Sequence, residues 1–83
     1  MNNLNNLGEF AKIIYNDMIK EIRFIPAHLI NSAKYDMLNN DEIEYFLSLD
    51  NPYVNFGLIY NYNIDIKIRQ KIIDNTIKKD IFK

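Results

Sequence analysis

Apolar residues recur every three or four positions along almost the whole chain, which is the period of a helix with one buried face. Leu7, Ala11, Ile14, Met18 and Ile22 form the first stripe, widened by Phe10 and Ile13. This predicts a helix over about 6–23. Asn6 and Glu9 have the spacing of a capping box at its start. Pro26 disfavours helical geometry at Ile25 and suits a first helical position. A second helix over about 26–38 then carries Leu29, Ile30, Ala33 and Met37 inward. Asn39-Asn40 breaks it, and Asn39 with Glu42 again has capping-box spacing. A short third helix over about 41–49 rests on Ile43, Phe46 and Leu47.

Asp50-Asn51-Pro52 restarts the chain, with Asn51 as cap and Pro52 at the first helical position. The fourth helix covers about 52–61 on Val54, Leu58 and Ile59. Asn61-Tyr62-Asn63 makes a turn. Asp65 caps a fifth helix over about 66–80, with Ile68, Ile72, Ile73 and Ile77 as its stripe. Alternation of Ile64, Ile66 and Ile68 with polar residues also suits a strand over 63–68. The cap at Asp65, and a 3.6-residue period running on beyond it, favour the helix. The fold class expected is therefore all-α: five short helices in one domain spanning 1–83, as a small helical bundle or stacked α-hairpins.

The stretch from Asp41 to Asn75 resembles the leucine-rich repeat variant and related HEAT-like α-repeats. Asp50-Asn51-Pro52-Tyr53-Val54 opens such a unit, and Gly57-Leu58 follows at the usual interval. Asn61, Asn63 and Ile64 match its turn, Ile72-Ile73 its apolar pair, and Asp74-Asn75 restates Asp50-Asn51. Asn55 stands where the family usually has Arg, and Tyr62 and Asp65 where Pro is common. The resemblance implies a helical-repeat architecture and a binding role. It brings no catalytic residue with it.

Composition narrows the chemistry. The 83 residues are 48% hydrophobic and 25% charged, values of an ordinary globular chain. A chain this short hides only about 60–65% of the surface its unfolded form exposes, so modest stability is expected. Cysteine is absent, which excludes disulfides, thiolate metal sites and a cysteine nucleophile. The sequence MNNLNNLGEF has neither the basic start nor the apolar run of a signal peptide, and a cytoplasmic location is expected. Ile occurs 15 times and Asn 13 times, a usage that matches an AT-rich genome and gives many of the asparagines no further meaning.

No enzyme is expected. His28 is the sole histidine, and nothing activates it together with Ser32 one turn away. The two glycines, Gly8 and Gly57, make no phosphate loop. Glu42 and Glu44, two apart on a helix, point to different faces and do not pair for acid–base work. Neither cofactor nor metal is expected, no small-molecule substrate is indicated, and the mixed charges of the first helix do not suit a membrane surface.

Charge is segregated along the chain. Residues 1–34 carry four bases and three acids; residues 35–66 carry six acids and no base; residues 67–83 carry six bases and two acids. The acidic stretch also holds Tyr45, Tyr53, Tyr60 and Tyr62. Tyr is enriched at binding hot spots, so acid with exposed Tyr suits protein docking. The same acids also suit helix starts, where negative charge is favourable. The leading expectation is a small non-enzymatic protein-binding module, an inhibitor or adaptor. Asp41, Glu42, Glu44, Tyr45, Tyr53 and Tyr60 would form its partner-binding face. A phage or mobile-element inhibitor of the anti-CRISPR type, or an immunity protein, would use such a face to block a basic nucleic-acid-binding site. The alternative is nucleic-acid binding through the last helix, with Lys67, Lys71, Lys78 and Lys79 on phosphates. A third possibility is a homo-oligomer associating through exposed apolar ends of an uncapped stack.

Overall fold

A computed structural model describes residues 4–82. Five helices follow one another: α1 (Leu7–Lys20), α2 (Ala27–Tyr35), α3 (Asn40–Ser48), α4 (Pro52–Ile59) and α5 (Ile66–Ile81). No strand occurs among the described residues. The helices form a flattened body of 31 × 31 × 19 Å, about two helix diameters thick. The architecture is the small all-α bundle expected.

α4 is the shortest helix and the centre of the fold. It packs against each of the other four, most extensively against α2. Its sequence explains this position. Pro52, Val54, Gly57, Leu58 and Ile59 are buried and spread around the helix rather than along one stripe, as a helix enclosed on all sides requires. The core then gathers Phe10 and Ile14 from α1, Ala33 from α2, Ile43 and Phe46 from α3, and Ile72 and Ile73 from α5. Full burial of such a side chain contributes roughly 1.5–3 kcal/mol each.

Three of the four expected caps form. Asn39 Oδ1 accepts from the Glu42 backbone N–H at 2.8 Å, and Glu42 accepts from the Asn39 N–H at 2.9 Å, completing the box. Asn51 Oδ1 accepts from Tyr53 and Val54, with Pro52 at the first helical position. Asp65 accepts from Lys67. The fourth cap does not form. Asn6 adopts a left-handed conformation at φ 63° and its side chain makes no cap. The preceding residue is tied down instead, because Asn5 exchanges two backbone hydrogen bonds with the Gln70 side-chain amide.

Two stripe residues expected inside lie outside. Ile22 is 96% exposed and Met37 is 83% exposed. Each follows the observed end of its helix, and both ends have a visible cause. α1 stops at Lys20, and the chain beyond it is gripped by Arg23. α2 stops at Tyr35 because its last carbonyls are taken by side chains from another turn. Asn61 Nδ2 donates to the carbonyls of Ala33 and Asp36 at 2.9 and 2.8 Å, and Asn63 Nδ2 donates to that of Tyr35. Leu47, expected in the core of α3, is likewise partly exposed.

Gly57 closes the α2–α4 seam. A Cβ there would lie 3.3 Å from the Ile30 carbonyl oxygen and 3.5 Å from Ala33 Cβ. Only glycine lets the two backbones approach so closely without displacing either.

Candidate functional site

α3 carries four of the six residues expected to bind a partner. Asp41, Glu42, Glu44 and Tyr45 are all exposed. Asp41, Glu42 and Tyr45 line one shallow depression with Leu29 and Ser32 of α2. Tyr45 leans on Phe46, ring centroids 5.6 Å apart, so its ring is held while its edge stays open. Among the described residues no base comes within ion-pair reach of Asp41, Glu42 or Glu44. Glu42 also holds the α3 cap, so its position is fixed from within.

The remaining two tyrosines lie elsewhere. Tyr53 is partly exposed, and its hydroxyl donates to the Met18 carbonyl of α1 at 3.3 Å. Tyr60 is half-buried against the core and meets the Phe56 ring in a tilted contact at 4.8 Å, and Phe56 in turn meets Tyr15 at 5.7 Å. Tyr15, Phe56 and Tyr60 thus form an aromatic row between α1 and α4, and Tyr60 contributes to packing.

The second feature is an open groove of about 1160 Å³ between α1, α5 and the α3–α4 junction. Ile14, Pro52, Ile68 and Ile72 give it apolar walls, and Ile22, Leu47 and Phe82 also line it. Ile22 and Phe82 stand almost free in solvent. Of the four lysines expected to reach phosphates, Lys71, Lys78 and Lys79 line the groove and Lys67 does not. Lys20 and Arg23 join them from α1 and its exit. Their membership depends on the tertiary fold, which no local sequence pattern announces. Nor does any signal separate Ile22 from the buried members of its stripe.

Arg23 organises one end of this groove. Its Nε and Nη2 donate to the two carboxylate oxygens of Glu21 at 2.9 Å each. Its Nη1 and Nη2 also donate to the carbonyls of Leu49 and Asp50. The exit of α1 is thereby joined to the α3–α4 junction. The guanidinium bonds, and then the Arg23 backbone N–H, hold the Glu21 carboxyl down to about 2, well below its usual value of 4.5. Asp50 occupies a left-handed turn at φ 47° and pairs with Lys79 at 3.3 Å in an exposed contact. Asn55 lines the groove and leaves its Oδ1 buried without a hydrogen-bond partner.

Arg69 does not belong with the surface bases among which its sequence position places it. It is 5% exposed, and it donates to the carbonyls of Ile59 and Ile64, satisfying the end of α4 and the following turn. Tyr62 covers its guanidinium at 5.5 Å. His28 is exposed, and the Ser32 hydroxyl donates to Asp36 at 2.7 Å. Among the described residues no group of three or more His, Cys, Asp or Glu could hold a metal ion. Among the described residues no helix is long and apolar enough to cross a membrane.

No family model, no curated protein and no solved structure matches the chain.

Proposed function

We propose that the chain is a small protein-binding module that docks through the acidic flank of α3. Asp41, Glu42 and Glu44 supply the charge and Tyr45 the apolar anchor. The observation that carries this reading is the combination of three exposed carboxylates without a basic partner among the described residues and one held aromatic ring on a nine-residue helix. Unneutralised charge spread over the exposed side of α3 steers a basic partner and fixes its register. A capped, rigid helix loses little entropy when it binds. The partner surface is basic, and steric occupation of a nucleic-acid-binding site is the action such a flank suits. An inhibitor from a mobile element, or an immunity protein, would work in this way.

The capping box decides how the reading is tested. Replacing Glu42 would weaken α3 itself, by about 1 kcal/mol for a lost cap. Asp41→Lys/Glu44→Lys leaves the box intact. Capture from a lysate of the source cell, read by mass spectrometry, should retain a basic protein on wild type and lose it on this variant. Equal retention by both would remove the α3 flank from the binding surface.

Nucleic-acid binding through Lys71, Lys78 and Lys79 is favoured by their shared place in the groove with Lys20 and Arg23. The same groove has apolar walls and contains Asp17, Glu21 and Asp50, which a phosphate backbone would meet. Contacts to phosphates would make affinity fall steeply with salt. A flat salt response with duplex or single-stranded probes would dismiss this reading.

A further inference from the structure

We infer that the chain binds a second copy of itself head to tail, the acidic corner at α2–α3 of one molecule entering the basic groove of the next. This names a partner for the α3 flank and rests on the docking reading of that flank.

The groove supplies half of the argument. It is lined by five bases and three acids. Glu21 is engaged by Arg23 and Asp50 by Lys79. Among the described residues no carboxylate stands within ion-pair reach of Lys20, Lys71 or Lys78. The groove therefore presents net positive charge over apolar walls, with Ile22 and Phe82 exposed beside it. Exposed apolar residues gathered beside an apolar groove mark an interaction site.

The same chain carries the complementary surface. Met37 and Tyr45 are exposed apolar residues in the stretch that also carries Asp36, Asp41 and Glu44 and contains no base, while Lys34 lies over the ring of the neighbouring Tyr35 at 5.2 Å. Asp36 is joined to this corner through Ser32, whose hydroxyl it accepts and which lines the depression with Tyr45. One surface is apolar and acidic; the other is apolar and basic.

The placement of α3 makes the contact intermolecular. Tyr45 faces the depression and Leu47 lines the groove. Residues two apart on a helix point roughly 200° away from each other. Asp41, Glu42 and Tyr45 thus face the depression while Leu47 faces the groove from the other side of α3, and a molecule does not reach its own groove with the residues of that depression. A contact between two different patches is heterologous, and it continues from copy to copy unless the rotation closes a ring. Self-association would also cover the α3 flank, so a foreign partner and a second copy compete for it.

The test is mass in solution, by sedimentation or light scattering, for wild type and two charge reversals. Asp41→Lys/Glu44→Lys alters the corner, and Lys71→Glu/Lys78→Glu alters the groove. At low salt the wild-type mass should rise with concentration, and it should return to the monomer near ~1 M salt, where screening reaches about 3 Å. Each reversal alone should weaken association more than about 10-fold, through like charges brought together. An equimolar mixture of the two variants should associate again, because each offers the other a matched surface, and this recovery also shows that both are folded. A wild-type monomer at every concentration in low salt would overturn the inference, and so would association indifferent to both reversals or a mixture that stays monomeric. A monomeric wild type that still captures a basic protein through the α3 flank would leave the docking reading standing and this inference overturned.

Discussion

The α2–α4 seam and the α1–α5 groove share α4 as a wall and differ in almost everything else. At the seam, Gly57 lets two backbones meet, and Ala33 fills the small space that remains. Asn61, fully buried, uses both its amide group and its carbonyl oxygen: Nδ2 on Ala33 and Asp36, Oδ1 on the Asn63 N–H. On the groove side the walls are apolar but uncovered, and Asn55 keeps a buried oxygen without a partner. Glu21 pairs there with Arg23 and Asp50 with Lys79, while among the described residues Lys20, Lys71 and Lys78 have no carboxylate within ion-pair reach. The seam is what holds the chain in one fold. The groove is surface left over once that fold is satisfied, and it is free to be used.

The contrast breaks most visibly at Asn61. Asn61→Asp would set a buried carboxylate against two carbonyl oxygens that now receive hydrogen bonds. A broken buried polar pair with an uncompensated charge costs about 3–5 kcal/mol. For a domain of this size that lowers the thermal midpoint by more than about 12 °C. Calorimetry or thermal circular dichroism measures it, and a midpoint within a few degrees of wild type would deny the seam its role.

Gly57→Val comes next. Its branched side chain would press on the Ile30 carbonyl and Ala33, and overpacking of this kind costs about 1–3 kcal/mol. Urea unfolding should show a lower midpoint with an unchanged slope. Gly57→Ala sharpens the point. The helix gains about 1 kcal/mol from losing a glycine, and the 3.3 Å approach to Ile30 opposes that gain. Valine should therefore be clearly the worse of the two.

On the groove side a smaller effect appears with pH. The Glu21 carboxyl is held at about 2 in the fold, against 4.5 as its ordinary value. A carboxyl depressed by folding adds stability that is complete above its unfolded value and is lost as pH falls toward its folded value. The stability difference between wild type and Glu21→Gln should thus stay constant from neutral pH to about 4.5 and shrink between about 4.5 and 2. Unfolding measured across that range checks it, and a difference that vanished at neutral pH would contradict the clamp.

The smallest effect on stability belongs to Ile22→Ser/Phe82→Ser. Both side chains are exposed, and surface changes of this kind fall within about 0.5 kcal/mol. The pair should nonetheless weaken self-association, so stability and assembly separate in one variant.

Much of this fold was legible in the chain. Asn39 with Glu42, Asn51 with Pro52, and Asp65 each mark a helix start through chemistry confined to four consecutive residues. The ends were less legible because they are set from a distance. α2 ends where Asn61 and Asn63, far along the chain, take its carbonyls, although by composition those asparagines looked like codon usage. Ile22 and Met37 continue an apolar period past the point where helix stops. Arg69 reads as a surface base because its partners, the Ile59 and Ile64 carbonyls, exist only once α4 has ended. The acidic flank was legible as a run of charge on α3. The groove was not, since Lys20 and Arg23 meet Lys71 and Lys78 only in the folded molecule.

Amide hydrogen exchange under native conditions tests the division between seam and groove most directly. The amides of Leu58 and Ile59 on α4 should exchange only through global unfolding. Those from Lys78 to Ile81, at the end of α5, should exchange through local opening, at rates well above the α4 rate. Equal protection along α4 and the end of α5 would contradict the account, because the groove would then be as much a part of the structural core as the seam.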